Sequence, residues 1–376
     1  MKKIYLDNAA TTAVLPEVAQ TMFEVLTHTY GNPSSTHSFG REAKVQVETA
    51  RKAIAKHIHA QATEIIFTSC GTEGDNWVLQ AAVNDLKVTR IVTTKLEHHA
   101  VLHTLAVLQL KNPELEVVYL PVNSLGEIAY SDLETVLSSS SAKTLVSLMH
   151  VNNEIGTVLD LVQVGAICKA YQAYFHSDTV QAIGKTNIDV QAANLDFLVA
   201  SAHKFHGPKG VGFVYVKKNT IIQPLLHGGE QEKGFRAGTE AVHQIVGMAK
   251  ALDLAYANLG AQQQAVTAVK NYAISAFKKA FPAVAFNGGE NGFYNILNVR
   301  LPLSVDKTAM ILFYLDMKGI AVSRGSACQS GSIKPSHVLA EILDANALQV
   351  PSLRLSFSHE NTPEDIDALI EAIQSM

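Results

Sequence analysis

The 376-residue chain has 30 basic and 34 acidic side chains, a formal net charge of −4, and so shows no basic footprint for nucleic acid. It is 47% hydrophobic and 17% charged, ordinary for a soluble globular enzyme, and too long for one core, so a large domain plus a smaller one is expected. There is no eighteen-residue apolar run to cross a membrane, no apolar stretch behind MKKIYLDNAATT to make a signal peptide, and no metal or disulfide spacing among Cys70, Cys168 and Cys328; a reduced, cytoplasmic protein without a metal is expected.

In chain order, Arg41–His57 has apolar residues at helical spacing. Short apolar runs then read as strands: Glu64–Thr68, Arg90–Thr94, Leu115–Leu120, Thr144–Met149, Ala173–His176, Asp196–Ala200 and Val211–Val216. Val162–Tyr171 is a helical pattern between them. Continuous apolar runs, as opposed to alternation, mean that most of these strands are buried on both faces, as in a doubly wound α/β sheet. Ala-rich helical sequence covers Val242–Leu259 and Ala261–Ala280, with a boundary near Leu259–Gly260. A new strand-and-helix set begins around Tyr294 and closes with a strand, Ser352–Phe357, and a helix, Thr362–Met376, whose Thr362-Pro363-Glu364-Asp365 opening has cap, proline and acids in order.

Polar residues cluster behind these strands, where open α/β sheets bind ligands. Ser69–Asn76 is a glycine-containing strand-to-helix turn whose backbone amides and Thr72 hydroxyl suit a phosphate, or simply cap the helix. It is neither a Walker loop nor a dinucleotide fingerprint. Glu97-His98-His99, His150–Glu154, Ser177–Gln181 and Ser201–Lys204 follow four further strands. Asp178, expected directly after a buried strand, needs a cation such as a pyridinium nitrogen, unless it caps the next helix. Lys204, at the polar end of a buried strand, is a candidate Schiff-base lysine, because desolvation and nearby cations free its amine; a solvated surface lysine is the plain alternative.

At these residues the chain resembles the NifS/IscS-type cysteine desulfurases, class V members of the fold type I pyridoxal-phosphate (PLP) enzymes. The matching segments are Y-L-D-N-A-A-T-T (5–12), G-N-P-S-S-T-H-S-F-G-R (31–41), T-E-G-D-N (72–76), E-H-H-A-V (97–101) and H-V-N-N-E-I-G (150–156). H-S-D-T-V-Q (176–181), S-A-H-K-F-H-G-P-K-G (201–210), H-G-G-E-Q-E-K-G-F-R-A-G-T (227–239), S-R-G-S-A-C-Q-S-G-S (323–332) and L-R-L-S (353–356) complete the set. The resemblance implies a large PLP-binding domain (15–258) with a mainly parallel seven-stranded sheet between helices. It also implies a smaller α+β domain (1–14 with 259–376) carrying the 323–332 loop. Lys204 would bear the cofactor and shuttle protons. His98, or His99 in the alternative register, would stack on the ring. Asp178 would pair with the ring nitrogen and Gln181 with the phenolic oxygen. Asn153 would lie near that oxygen and the substrate carboxylate. Gly71, Thr72, Ser201 and His203 would hold the phosphate, Thr239 would reach the phosphate of the other subunit of a homodimer, and Arg354 would grip the substrate carboxylate.

Cofactor binding alone leaves transamination, racemisation and elimination open; Cys328 narrows the choice. Its small, polar neighbours read as a mobile loop, with an inert loop thiol as the alternative, whereas Cys168 sits in an apolar helical pattern and Cys70 in the phosphate turn. The resemblance implies that the Cys328 thiolate attacks the sulfur of L-cysteine, leaving alanine and a persulfide for a sulfur-acceptor protein in iron–sulfur cluster or other sulfur biosynthesis. The rival readings are a selenocysteine lyase or aminotransferase of the same class, and a non-catalytic sulfur-relay protein. Gly74 stands where many relatives carry Ser or Ala, and Ser358-His359-Glu360 where they more often have glycine and a basic residue. The scaffold-docking extension of longer relatives has no counterpart after Met376, so that partnership is not implied.

Overall fold

The computed structural model describes residues 3–324 and 336–376. The first part runs β1 (Ile4–Tyr5), α1 (Pro16–His28), α2 (Ser38–His57), β2 (Ile65–Thr68), α3 (Gly71–Asn84), β3 (Arg90–Thr93) and α4 (His99–Lys111). Then come β4 (Glu116–Tyr119), α5 (Tyr130–Ser138), β5 (Thr144–Ser147), α6 (Leu161–Ala170), β6 (Tyr174–Asp178), β7 (Phe197–Ser201) and β8 (Gly212–Val216). Strands β2 to β8 form one seven-stranded sheet in the order β2-β8-β7-β6-β5-β3-β4. Only β8 runs against the rest, pairing antiparallel with both β2 and β7.

The apolar runs are continuous because each strand feeds two cores. Ile65, Phe67, Val146, Phe175, Leu198 and Phe213 face one core, shared with α1, α2, α6 and α7 (Val242–Ala257). Their neighbours Ile66, Leu145, Phe197, Val199 and Val214 face the other, built on α3 and α4. Each such side chain contributes roughly 1.5–3 kcal/mol of transfer free energy. The exception is β4, half-exposed at the sheet edge.

Beyond α7, and separated from it by Asn258 alone, α8 (Leu259–Ala280) leads to β9 (Ala285–Asn287), β10 (Ile296–Arg300), α9 (Lys307–Met317) and β11 (Ile320–Ala321). The chain ends with α10 (His337–Ile342), β12 (Ser352–Ser356) and α11 (Pro363–Gln374). An antiparallel β12-β10-β9 sheet and the parallel β1-β11 pair share a third core containing Leu6, Phe277, Leu297, Leu355 and Leu369. Thr362 is the N-cap expected, with Pro363 and the acids behind it, and it forms a capping box with Asp365. Bridges from Asp7 to Ser356 and from Ser323 to Arg354 tie the N-terminal strand and the approach to Cys328 onto β12. Among the described residues no helix is long and apolar enough to cross a membrane.

Two sequence expectations shift. Strand β6 runs on through Ser177 and Asp178, two residues past the expected end at His176, because polar Ser177 is wholly buried inside the sheet. Strand β9 is too short and mixed in character to be seen from periodicity.

Candidate active site

Because β8 alone is reversed, the carboxyl ends of β2, β7, β6, β5 and β3 all open on one edge of the sheet. The five polar clusters therefore converge, and ten of the expected residues line a single cleft of about 210 Å3. These are Gly71, Thr72 and His98, then Asn153, Asp178 and Gln181, and finally Ser201, His203, Lys204 and Arg354.

Lys204 ends a 3-10 turn (Ala202–Lys204) that follows β7 directly. Its Nζ donates to the carbonyls of Ala9 and Ala10, both at 2.8 Å. Thr12 Oγ1 donates to His203 O (2.9 Å), and Thr11 Oγ1 lies 3.1 Å from His203 Nδ1. The N-terminal Asp7–Thr12 segment is thus a wall of the cleft, visible in the sequence only as a motif. The Lys204 charge falls on its neighbours: burial first, then Lys204, hold His203 at about 4.

Asp178 accepts from Val180 N (2.9 Å) and is buried, which pushes its carboxyl up even though that amide and Lys204 pull it down. Behind it lie two residues to which the sequence analysis assigned no role. Asp75 Oδ1 is 3.5 Å from His176 Nε2, and His176 Nδ1 is 2.9 Å from Ser147 Oγ. Burial, then the charges of Asp178, Glu97 and Cys70, raise the Asp75 carboxyl; burial holds His176 at about 3. His176 is therefore neutral near pH 7 and burial disfavours the charged form of Asp75, so the negative charge of this corner falls to Asp178 when a cation faces it.

The structure separates the two adjacent histidines. His98 caps α4, its Nδ1 accepting from Ala100 N at 3.1 Å, and its ring lines the cleft. With Nδ1 an acceptor, the neutral ring carries its proton on Nε2. Burial, then Lys204, His337 and His103, hold it at about 4. His99 instead packs against His103 and His337, with centroids 4.7 and 4.4 Å away.

Glu97, 1% exposed, accepts from Met149 N (2.9 Å), and burial pushes it up to about 8. Its folded value lies above the ordinary 4.5, so its contribution to stability is full below that pH and lost as pH rises through about 8. Glu97→Gln keeps the acceptor and removes the titration. From about pH 5 to 9, urea unfolding of the variant should lose less stability than wild type, by on the order of 3 kcal/mol. Parallel curves would mean an ionised Glu97.

Arg354, 1% exposed on β12, donates from Nη2 to Asp7 Oδ1 (2.7 Å) and from Nη1 to Asn153 O (3.0 Å). Asp7 was not singled out from the sequence; its position in Y-L-D-N was the available signal. The two asparagines also divide. Asn152 builds the turn, its Oδ1 accepting from Glu154 N and Ile155 N, whereas Asn153 lines the cleft.

At the amino end of α3, Gly71 lies so close to the strands that a Cβ would meet Val180 Cγ2 at 2.8 Å. Gly74 is required in the same way: a Cβ there would meet Val199 at 2.8 Å and Val214 at 2.9 Å, so these two valines occupy the room a relative's Ser or Ala needs. Ser201 Oγ is buried beside this turn and has no hydrogen-bond partner among the described residues.

Thr239 is exposed and outside this chain's cleft. Its segment is held by two bidentate pairs, Arg51 with Glu232 (2.6 and 2.8 Å) and Arg236 with Glu73 (3.0 and 3.3 Å). Cys328 and the 325–332 part of its loop lie outside the described residues. The described flanks on both sides stand at the cleft. Ser323 exchanges backbone hydrogen bonds with Arg354, and Ser336 Oγ donates to Glu154 Oε2 (2.5 Å), next to Asn153. Cys168 is buried, which drives its thiol far above the usual range. At the surface turn of Ser358-His359-Glu360, Asn361 Oδ1 accepts from Ser358 N (2.8 Å) and its Nδ2 donates to Tyr5 O (2.9 Å).

Residues 4–369 match the aminotransferase class-V family. The cysteine desulfurase IscS of Clostridium botulinum (strain Kyoto / Type A2) is 42% identical over 380 residues, spanning 99% of this chain and 94% of its own. A solved NifS-like protein superposes with a TM-score of 0.90 at 34% identity, covering 100% of this chain and 99% of its own. SspA in complex with cysteine does so with a TM-score of 0.82 at 29% identity, covering 96% of this chain and 100% of its own. A strand-edge lysine facing a buried aspartate and arginine, within a likeness that runs almost end to end, places this chain in the aminotransferase class-V family.

Proposed function

We propose that this chain is a cysteine desulfurase that moves the sulfur of L-cysteine onto Cys328 as a persulfide and releases L-alanine. The observation that carries this reading is the Ser323–Arg354 bridge: the chain leading to Cys328 is hydrogen-bonded to the arginine of the cleft. In the balance, the substrate Cβ–S bond breaks, Cβ gains a proton, and an S–S bond forms to Cys328, whose thiol proton is released or retained on the terminal sulfur.

The family implies PLP, and the residues fit it. Ser201 Oγ is buried beside a helix N-terminus with no hydrogen-bond partner among the described residues, and Asp178 is a carboxyl that burial pushes up. Gly71, Thr72, Ser201 and His203 would hold the phosphate, Asp178 the ring nitrogen, Gln181 and Asn153 the phenolic oxygen, and His98 the ring face. When bound, the cofactor supplies an electron sink for the substrate carbons. Lys204 Nζ would hold it covalently and move the Cα proton; neutral His98 would offer its Nε2–H as a hydrogen-bond donor beside it. Arg354 and Asn153 orient the substrate carboxylate. Arg354→Lys loses the fork that serves Asp7, Asn153 and a carboxylate at once, and should raise KM for cysteine about 10- to 100-fold with a smaller change in kcat.

The same reading makes 15–258 the large domain and 1–14 with 259–376 the small one. It makes the protein a cytoplasmic homodimer in which exposed Thr239 reaches the partner's phosphate site, with a sulfur-acceptor protein downstream in iron–sulfur cluster or other sulfur biosynthesis. Free thiols at Cys70 and Cys168 support a reducing compartment. The test is incubation of the PLP-loaded protein with L-cysteine and dithiothreitol: equimolar alanine and sulfide are expected. A 2-oxo acid in place of alanine would establish an aminotransferase instead.

A further inference from the structure

Lys185 is a buried cation, 8% exposed, that no step above uses. Lys204 and Arg354 are the charges that act on it, so its position is costly. Burial, then those two cations, lower it to about 7. It follows a tight turn in which Ala182 N and Ile183 N donate to Thr179 O, and Gly184 takes φ +74°. That turn brings Lys185 Nζ to 3.1 Å from Gln181 Oε1. On its other side the Gln181 amide donates from Nε2 to Ala9 O (2.9 Å), the same carbonyl that accepts from Lys204 Nζ (2.8 Å).

We propose that Lys185 is a positioning residue that fixes which way the Gln181 amide faces, so that Nε2–H2 and not Oε1 is presented to the cleft. The inference rests on the cofactor reading above. The two ends of a carboxamide have nearly the same shape, so packing does not choose between them. Hydrogen bonding does. An ammonium offers only donors and a backbone carbonyl only accepts, so Lys185 and Ala9 select the same orientation from opposite sides. Turned over, the amide would set donor against donor at Lys185 and acceptor against acceptor at Ala9. Lys185 makes this selection as an ammonium; its neutral amine would accept as well as donate and leave the choice to Ala9 O. The orientation matters because the phenolic oxygen expected beside Gln181 is electron-rich and takes a donor, whereas Oε1 would repel it.

The experiment is a pH titration of the visible absorption of the PLP-loaded protein without substrate. Losing a donor to the phenolic oxygen makes the cofactor a weaker acid, so Lys185→Met should raise the midpoint by about one unit, a tenfold change. Loss of the Lys185 charge alone would push in the same direction, so the variant is repeated in a Gln181→Ala background. The shift should vanish there if Lys185 acts through Gln181. Lys185→Arg, for which an adjoining cavity of about 40 Å3 leaves room, should restore the wild-type midpoint. If Lys185→Met does not fold, Lys185→Gln, whose amide accepts as well as donates and so does not fix Gln181, is expected to raise the midpoint in the same direction. An equal shift in both backgrounds, or none in either, overturns the proposal. A wild-type protein that develops no visible band with PLP would overturn the cofactor reading instead.

Discussion

Lys204→Ala is expected to lower the rate of alanine release from cysteine by about 10^4-fold or more, because in the proposed reading one amine both holds the cofactor and moves the substrate proton. Borohydride treatment of the PLP-loaded wild type should add the reduced cofactor to the mass of the chain; the variant should gain nothing. The substitution also leaves the carbonyls of Ala9 and Ala10 without the Nζ donor, though Ala9 O keeps Gln181. A loss of about 1–3 kcal/mol in stability is expected from this alone. Lys204→Arg keeps donors for both carbonyls and lacks the nucleophilic amine, so it should recover stability without turnover. A Lys204→Arg protein as active as wild type would remove Lys204 from the chemistry.

Cys328→Ala should reduce sulfide release at least about 100-fold while leaving the visible spectrum of the bound cofactor unchanged, since the proposed sulfur acceptor is lost while the residues of the cleft are kept. Mass spectrometry without reductant should find one added sulfur on the wild-type peptide containing Cys328 and none on the variant. Cys168→Ala is the control: its thiol is 1% exposed in the core and driven far from its reactive form, so the persulfide on Cys328 should persist. Equal sulfide release by wild type and Cys328→Ala would refute the persulfide route. It would favour another class V activity.

Much of the cleft was legible because its residues occupy a rule-bound place, the polar stretch after an apolar strand. His98, Asp178, Ser201 and Lys204 could each be found this way from neighbours a few residues off. The choice between His98 and His99 could not, because it depends on which ring caps α4 and which packs against His103 and His337. Nor could the need for Gly74, which is set by Val199 and Val214 on other strands.

The sequence by itself determined the α/β class and the seven strands of the large sheet, and set Lys204 at a polar strand end, since apolar runs and residue chemistry are local properties. Only the tertiary structure decided what surrounds that amine. Asp7 meets Arg354 across 347 residues, Gln181 meets Ala9 across 172, and Lys204 meets Ala9 across 195. Such pairings follow from the reversal of β8 and from the N-terminal segment folding back over the sheet edge, and no spacing along the chain encodes them.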